Sequence, residues 1–224
     1  MLVKIKRQDG PNTEAYWQTF RYDGERNTTV SALLDTLNNT DPLLDAEGNP
    51  AKPIHWECSC LQKMCGACAM IINGMPSLAC ETFLRDCKGD ILTLEPLTKF
   101  PVVSDLVVNR DIISENLKNA GIYLGEYEKM RLEDYPQLYS TARCLKCGLC
   151  LEACPNYHKG DNFFGANFAN ESYLMSTQSA DRKGEIKAAY AEHFAKHCSK
   201  ALSCVRICPM QIDTLSSIAR LNRK

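Results

Sequence analysis

The sequence predicts an α+β protein of two domains: a small strand-rich domain over residues 1–101, then an all-helical domain over residues 102–224. Three observations carry this prediction. Apolar residues alternate through much of the first hundred positions and recur at three- and four-residue steps beyond them. The stretch EPLTKFP (residues 95–101) has a proline near each end and separates the two patterns. A chain of 224 residues can form one large domain or two small ones.

In the first half, LVKIKRQ and AYWQTFRYD read as paired strands, with Gly10, Pro11 and Asn12 as the turn between them. Val30, Leu33, Leu34 and Leu37 lie on one face of a short amphipathic helix, capped by Thr29 or Ser31. AMIING and DILTLEP are further strands. Strands, one helix and strands again give the order of a β-grasp ferredoxin. The segment PLLDAEGNPAKPIHWECSC reads as a surface loop leading into a strand, with Trp56 packed in the core. In the second half, VVSDLVVNRDIISENLKNAG places Leu106, Asn109, Arg110 and Ile113 at helical steps and stops at Gly121. ESYLMSTQS, KGEIKAAYAEHFAKHC and TLSSIARLNRK are further helices, rich in good helix formers.

The chain has thirteen cysteines and a formal net charge of −1. An odd, clustered set without a secretory leader argues for reduced thiolates in a cytosolic setting rather than disulfides. No run of about 18 apolar residues occurs, so membrane contact is expected only through partners. The charge balance gives no reason to expect nucleic-acid binding.

Cys60, Cys65, Cys68 and Cys80 follow C-x4-C-x2-C with a distant fourth cysteine, the plant-type [2Fe–2S] spacing. Gly66 and Ala67 let the loop wrap closely around a core and aim backbone N–H groups at sulfur. A zinc site is the alternative, but zinc sites usually offer two similar C-x2-C knuckles and only Cys65–Cys68 forms one here. Cys58 and Cys87 fall outside this pattern and read as small buried hydrophobes.

Cys144, Cys147, Cys150 and Cys154 precede Pro155 in C-x2-C-x2-C-x3-C-P, the bacterial two-cluster ferredoxin run. A second run, Cys198, Cys204 and Cys208 before Pro209, has Ala201 where its second cysteine belongs. In such runs the fourth cysteine serves the other cluster. Crossing them assigns Cys144, Cys147, Cys150 and Cys208 to a [4Fe–4S] cluster. Cys154, Cys198 and Cys204 remain, three thiolates suited to a [3Fe–4S] cluster that is easier to reduce.

This order of motifs resembles the iron–sulfur subunit of the succinate dehydrogenase and fumarate reductase family, the respiratory complex II type. SCLQKMCGACAMIINGMPSLAC looks like that family's [2Fe–2S] loop, FPVVSDLVVNR like its linker, and CLKCGLCLEACP like its second motif. The resemblance covers nearly the whole chain and implies a relay of three clusters in line. One end would face a FAD-containing flavoprotein that performs the dicarboxylate chemistry. The other would face a membrane-anchor cytochrome b or quinone-binding subunit, on the cytoplasmic side of the inner (cell) membrane.

Two departures bear on the quinone. Many quinone-linked relatives have tryptophan where this chain has Lys159, and often histidine where it has Ser199. Their absence favours menaquinone over ubiquinone. His158, beside the first position, reads as a surface histidine. An alternative is a relay of a soluble fumarate reductase, or of a thiol- or heterodisulfide-linked reductase, without quinone. Such thiol-linked subunits usually need a further cysteine-rich domain, and this chain stops sixteen residues after Cys208. No phosphate loop, FAD fingerprint or dicarboxylate constellation is visible in the chain itself.

Overall fold

A computed structural model describes residues 1–223, which form two compact units, Met1–Asn109 and a second beginning at Arg110. The division falls eight residues beyond the boundary expected at Pro101.

The first unit is built on strands β1 (Leu2–Arg7), β2 (Tyr16–Arg21), β3 (Ala69–Ile72), β4 (Met75–Leu78) and β5 (Ile91–Glu95). Their order across the sheet is β2-β1-β5-β3-β4. β1 runs antiparallel to β2 but parallel to β5, and that parallel pairing joins the two ends of the unit. Alternation along β1 buries Val3, Ile5 and Arg7 on one face. Helix α1 (Val30–Asn38) buries Val30, Leu33, Leu34 and Leu37, the predicted stripe. Its cap is Thr29, whose hydroxyl accepts from Ala32 N at 3.3 Å. β4 lay unrecognised because MPSL is short and carries a proline.

The helix expected from Val102 to Gly121 exists only in its second half, as α2 (Asp111–Asn119). Its first half is a hairpin of β6 (Val102–Ser104) and β7 (Val107–Val108). The cause is Asp105, in the turn at φ 45°. Its carboxylate, 1% exposed, accepts from Arg7 Nε at 2.9 Å, Gln8 N at 3.0 Å and His55 N at 2.8 Å. A long-range tie of that kind outweighs helical periodicity, and it attaches residues 102–109 to the first unit.

The second unit contains α2, α3 (Tyr135–Ala142), α4 (Leu149–Glu152), α5 (Gly165–Gln178), α6 (Lys183–Tyr190), α7 (Ser203–Ile207) and α8 (Thr214–Leu221). α5 is its centre, touching α2, α3, α4, α6 and α8. It is buried on almost every face, so its sequence lacks a clean amphipathic stripe. Gly165 opens it at φ +79°, where an added Cβ would lie 2.1 Å from Leu151 Cδ2. α6 runs into a π-helical turn at Ala191–Ala195 rather than continuing as one regular helix. The two short helices inside the cysteine runs, α4 and α7, pack on each other.

Candidate iron–sulfur sites

In the first unit, residues 60–68 form a tight loop with Leu61, Lys63 and Gly66 at φ 53°, 61° and 76°. These left-handed positions turn backbone N–H groups toward sulfur. Cys60 Sγ accepts from Gln62 N at 3.4 Å and Met64 N at 3.2 Å. Cys65 Sγ accepts from Ala67 N at 3.5 Å, and Cys80 Sγ from Lys63 N at 3.3 Å. The β3–β4 hairpin supplies the remaining closure. Ala69 pairs with Leu78, so Cys68, just before β3, meets Cys80, just after β4. Cys80 N donates to Cys68 Sγ at 3.5 Å.

The electrostatics of this loop are uneven. The N–H groups of Gln62 and Met64 bring the Cys60 thiol down to about 7. Burial, with Cys80 alongside, pushes Cys68 up to about 12. Iron bound here must displace the Cys68 proton, which links metal uptake to pH. A ring of N–H donors converging on four thiols fits an anionic cluster.

In the second unit, Cys144 follows α3, Cys147 precedes α4 and Cys150 lies within it. Lys146 at φ 50° and Gly148 at φ 86° make the sharp turns between them. Cys144, Cys147, Cys150, Cys204 and Cys208 border one cavity. Burial pushes Cys144 up, Cys147 to about 11, and Cys150 well above the usual thiol range. Cys208 Sγ accepts from Ile212 N at 3.5 Å. Lys146 Nζ donates to Glu171 on α5 at 2.7 Å, and Arg110 Nη1 to the Cys147 carbonyl at 3.4 Å. A second cavity is bordered by Cys154, Cys198, Cys204 and Ala201, with Phe163 and Phe194 as apolar wall. Cys204 thus borders both.

Thiols gathered in largely apolar cavities fit redox clusters, whose charge and potential depend on such burial. Among the described residues, no group of three or more His, Cys, Asp or Glu closes tightly enough for a single metal ion.

Cys87 is buried, and its thiol donates to the Phe83 carbonyl at 3.6 Å. Cys58 is exposed, contrary to its reading as a buried hydrophobe, because it lies on an extended segment outside the sheet. Trp56 is half-buried rather than a core residue. His158, Lys159 and Ser199 are exposed, and Ser199 Oγ donates to Asn156 Oδ1 at 2.6 Å. The sequence reading missed Asn167 and Asn170, which line the cavity bordered by Cys144, Cys147, Cys150, Cys204 and Cys208. Their three-residue spacing on a helix flanked by two cysteine runs was the available signal.

Fold and cysteines together define an iron–sulfur electron-transfer protein with a ferredoxin-like module in each unit. Residues 2–115 match the family described as a 2Fe-2S iron-sulfur cluster binding domain, and residues 140–212 match a 4Fe-4S dicluster domain. The chain is 33% identical to the succinate dehydrogenase iron-sulfur subunit of Bacillus subtilis, covering 98% of this chain and 90% of that relative. It is 29% identical to the fumarate reductase iron-sulfur subunit of Haemophilus influenzae, covering 90% and 89%. A chain of the Mycobacterium smegmatis Sdh1 complex in the apo form shares the fold, with TM-score 0.75 at 21% identity over 98% of this chain and 94% of that one. The chain belongs to the family of succinate dehydrogenase and fumarate reductase iron–sulfur subunits.

Proposed function

We propose that this chain relays electrons between a FAD-containing dicarboxylate oxidoreductase subunit and a quinone site in a membrane anchor. In this reading the first domain, about residues 1–101 with the 102–109 hairpin attached, holds [2Fe–2S] through Cys60, Cys65, Cys68 and Cys80. The helical domain holds [4Fe–4S] through Cys144, Cys147, Cys150 and Cys208, and [3Fe–4S] through Cys154, Cys198 and Cys204. The observation that carries the reading is the pair of cavities in the second unit. One gathers three cysteines of the first run with Cys208 and Cys204 of the second, the other gathers Cys154 with Cys198, Cys204 and Ala201, and Cys204 lies between the two.

Bound clusters supply reversible one-electron transfer. The chain's own groups hold the thiolates, aim N–H donors at sulfur, and exclude water with apolar walls. Among the described residues no helix is long and apolar enough to cross a membrane. Attachment to the cytoplasmic face of the cell membrane would therefore run through the anchor. Lys159 and Ser199, exposed where many ubiquinone-linked relatives carry tryptophan and histidine, favour menaquinone.

Electron paramagnetic resonance on the isolated complex, reduced stepwise, tests this. The expected sequence is an oxidised-state [3Fe–4S] signal that disappears first, then two reduced-state signals from the other clusters. Iron-replete protein without the oxidised-state signal would refute the trinuclear assignment. Zinc in place of iron and sulfide would refute the relay altogether.

A further inference from the structure

The cavity bordered by Cys144, Cys147, Cys150, Cys204 and Cys208 has polar groups set among apolar walls such as Ile113, Met210 and Ile212. Asn167 and Asn170 border it from α5, 3% and 4% exposed, and the carboxamide Oδ1 of each has no hydrogen-bond partner. A buried amide oxygen without a partner is destabilising, and two such residues border this one cavity. Asn170 Nδ2 contacts Thr214 Oγ1 at 3.1 Å, and Thr214 is 2% exposed on the same cavity. A carboxamide turned by 180° keeps its shape. Turned so, Asn170 Oδ1 accepts the Thr214 hydroxyl proton, and its NH2 takes the orphaned position. The same turn gives Asn167 a donor there. Five cysteine thiols border the same cavity.

We infer that Asn167 and Asn170 donate side-chain N–H groups to sulfur of the cluster held by Cys144, Cys147, Cys150 and Cys208, raising its reduction potential, with Thr214 as a positioning residue for Asn170. The inference rests on the cluster assignment proposed above. Its physics is direct. The reduced cluster carries one more negative charge, so an N–H donor stabilises it more than the oxidised form. With the amide so turned, the Thr214 hydroxyl donates to Asn170 Oδ1 and leaves the NH2 toward the cavity.

The test is a potentiometric titration of the intact complex, followed by electron paramagnetic resonance, with Asn167→Leu, Asn170→Leu and Thr214→Val. Each Asn→Leu change keeps the number and branching of the side-chain heavy atoms and removes the donor. The expected result is roughly a tenfold fall in the reduced-to-oxidised ratio of this cluster at fixed ambient potential, about 59 mV for a one-electron couple. The line shape stays unchanged, and the other two clusters keep their midpoints. Thr214→Val shifts the midpoint in the same direction and by less. A midpoint unmoved in both Asn variants overturns the inference, as does an equal shift of all three clusters, which would report a general structural change.

A second measurement avoids substitution. In the unmodified complex labelled with 15N-asparagine, pulsed resonance on the reduced cluster shows weak coupling to side-chain nitrogen, and its absence overturns the inference. A wild-type complex lacking any reduced [4Fe–4S] signal would instead sink the cluster assignment, so the two failures are distinguishable.

Discussion

Ala201 stands exposed between Lys200 and Leu202, both at φ 60°, on the cavity shared by Cys154, Cys198 and Cys204. A methyl group there cannot hold iron, and a thiol at the same position can. On the proposed [3Fe–4S] assignment, Ala201→Cys is therefore expected to admit a fourth iron, abolish the oxidised-state signal and lower that site's potential; an unchanged trinuclear spectrum in the variant would contradict it. The buried ion pair of the first unit makes a different residue-scale argument. Arg7, 1% exposed, donates to Asp105 at 2.9 Å and to the Pro53 carbonyl at 2.9 Å. Removing only the cation leaves a buried carboxylate uncompensated. Arg7→Met should cost about 3–5 kcal/mol in urea unfolding of the intact chain. A loss under 1 kcal/mol would mean that backbone donors alone satisfy Asp105.

Helix α8 shows how much one element depends on its end. Asp213 caps it, accepting from Ser216 N at 3.1 Å and Ser216 Oγ at 2.6 Å. The Ser216 hydroxyl, ahead of the backbone N–H groups, holds the Asp213 carboxyl below its ordinary 3.8. A lowered folded value means that the cap's contribution is complete above the unfolded value and is lost only as pH falls through the lower, folded one. Asp213→Ala should thus cost ~1 kcal/mol, and equally at pH 7 and pH 5 by urea unfolding. A cost that fades between those two values would show that another group governs the cap. Helices α4 and α7 are different in kind. At four and five residues they are far too short to persist alone. They pack on each other, and each carries a cysteine, Cys150 or Cys204, within it.

At the scale of the molecule, the two units differ in what holds them. The first has a continuous core, with Val3, Ile5, Phe20, Leu33, Leu92 and Leu94 all at 0% exposure. The second places its cysteines around cavities bordered by two very short helices. Iron removal by chelation should therefore loosen the second unit first. Hydrogen exchange is expected to accelerate at α4 and α7 while β1 and β5 stay protected. Uniform acceleration across both units would indicate that the clusters hold the whole chain rather than one part of it.

Sequence alone was enough for whatever depends on short spacing. C-x4-C-x2-C and each C-P run, Ala201 included, span only residues 60–68, 144–155 and 198–209, and cysteine spacing over so short a stretch is a local property of the backbone. The change from strand to helix grammar and the Thr29 cap were legible for the same reason. Tertiary structure decided the rest. The parallel pairing of β1 with β5 spans nearly the whole first unit, and no local pattern encodes it. Residues 102–109 carry helical periodicity, yet they form a hairpin because Asp105 finds Arg7 across 98 positions of sequence. Cys58 has the composition of a buried residue and lies in solvent because no layer covers its segment. Which thiols border which cavity, and that two asparagines join them, follow from α5 packing between α4 and α8. Burial is a sum over distant partners, so it is settled only when the chain has folded.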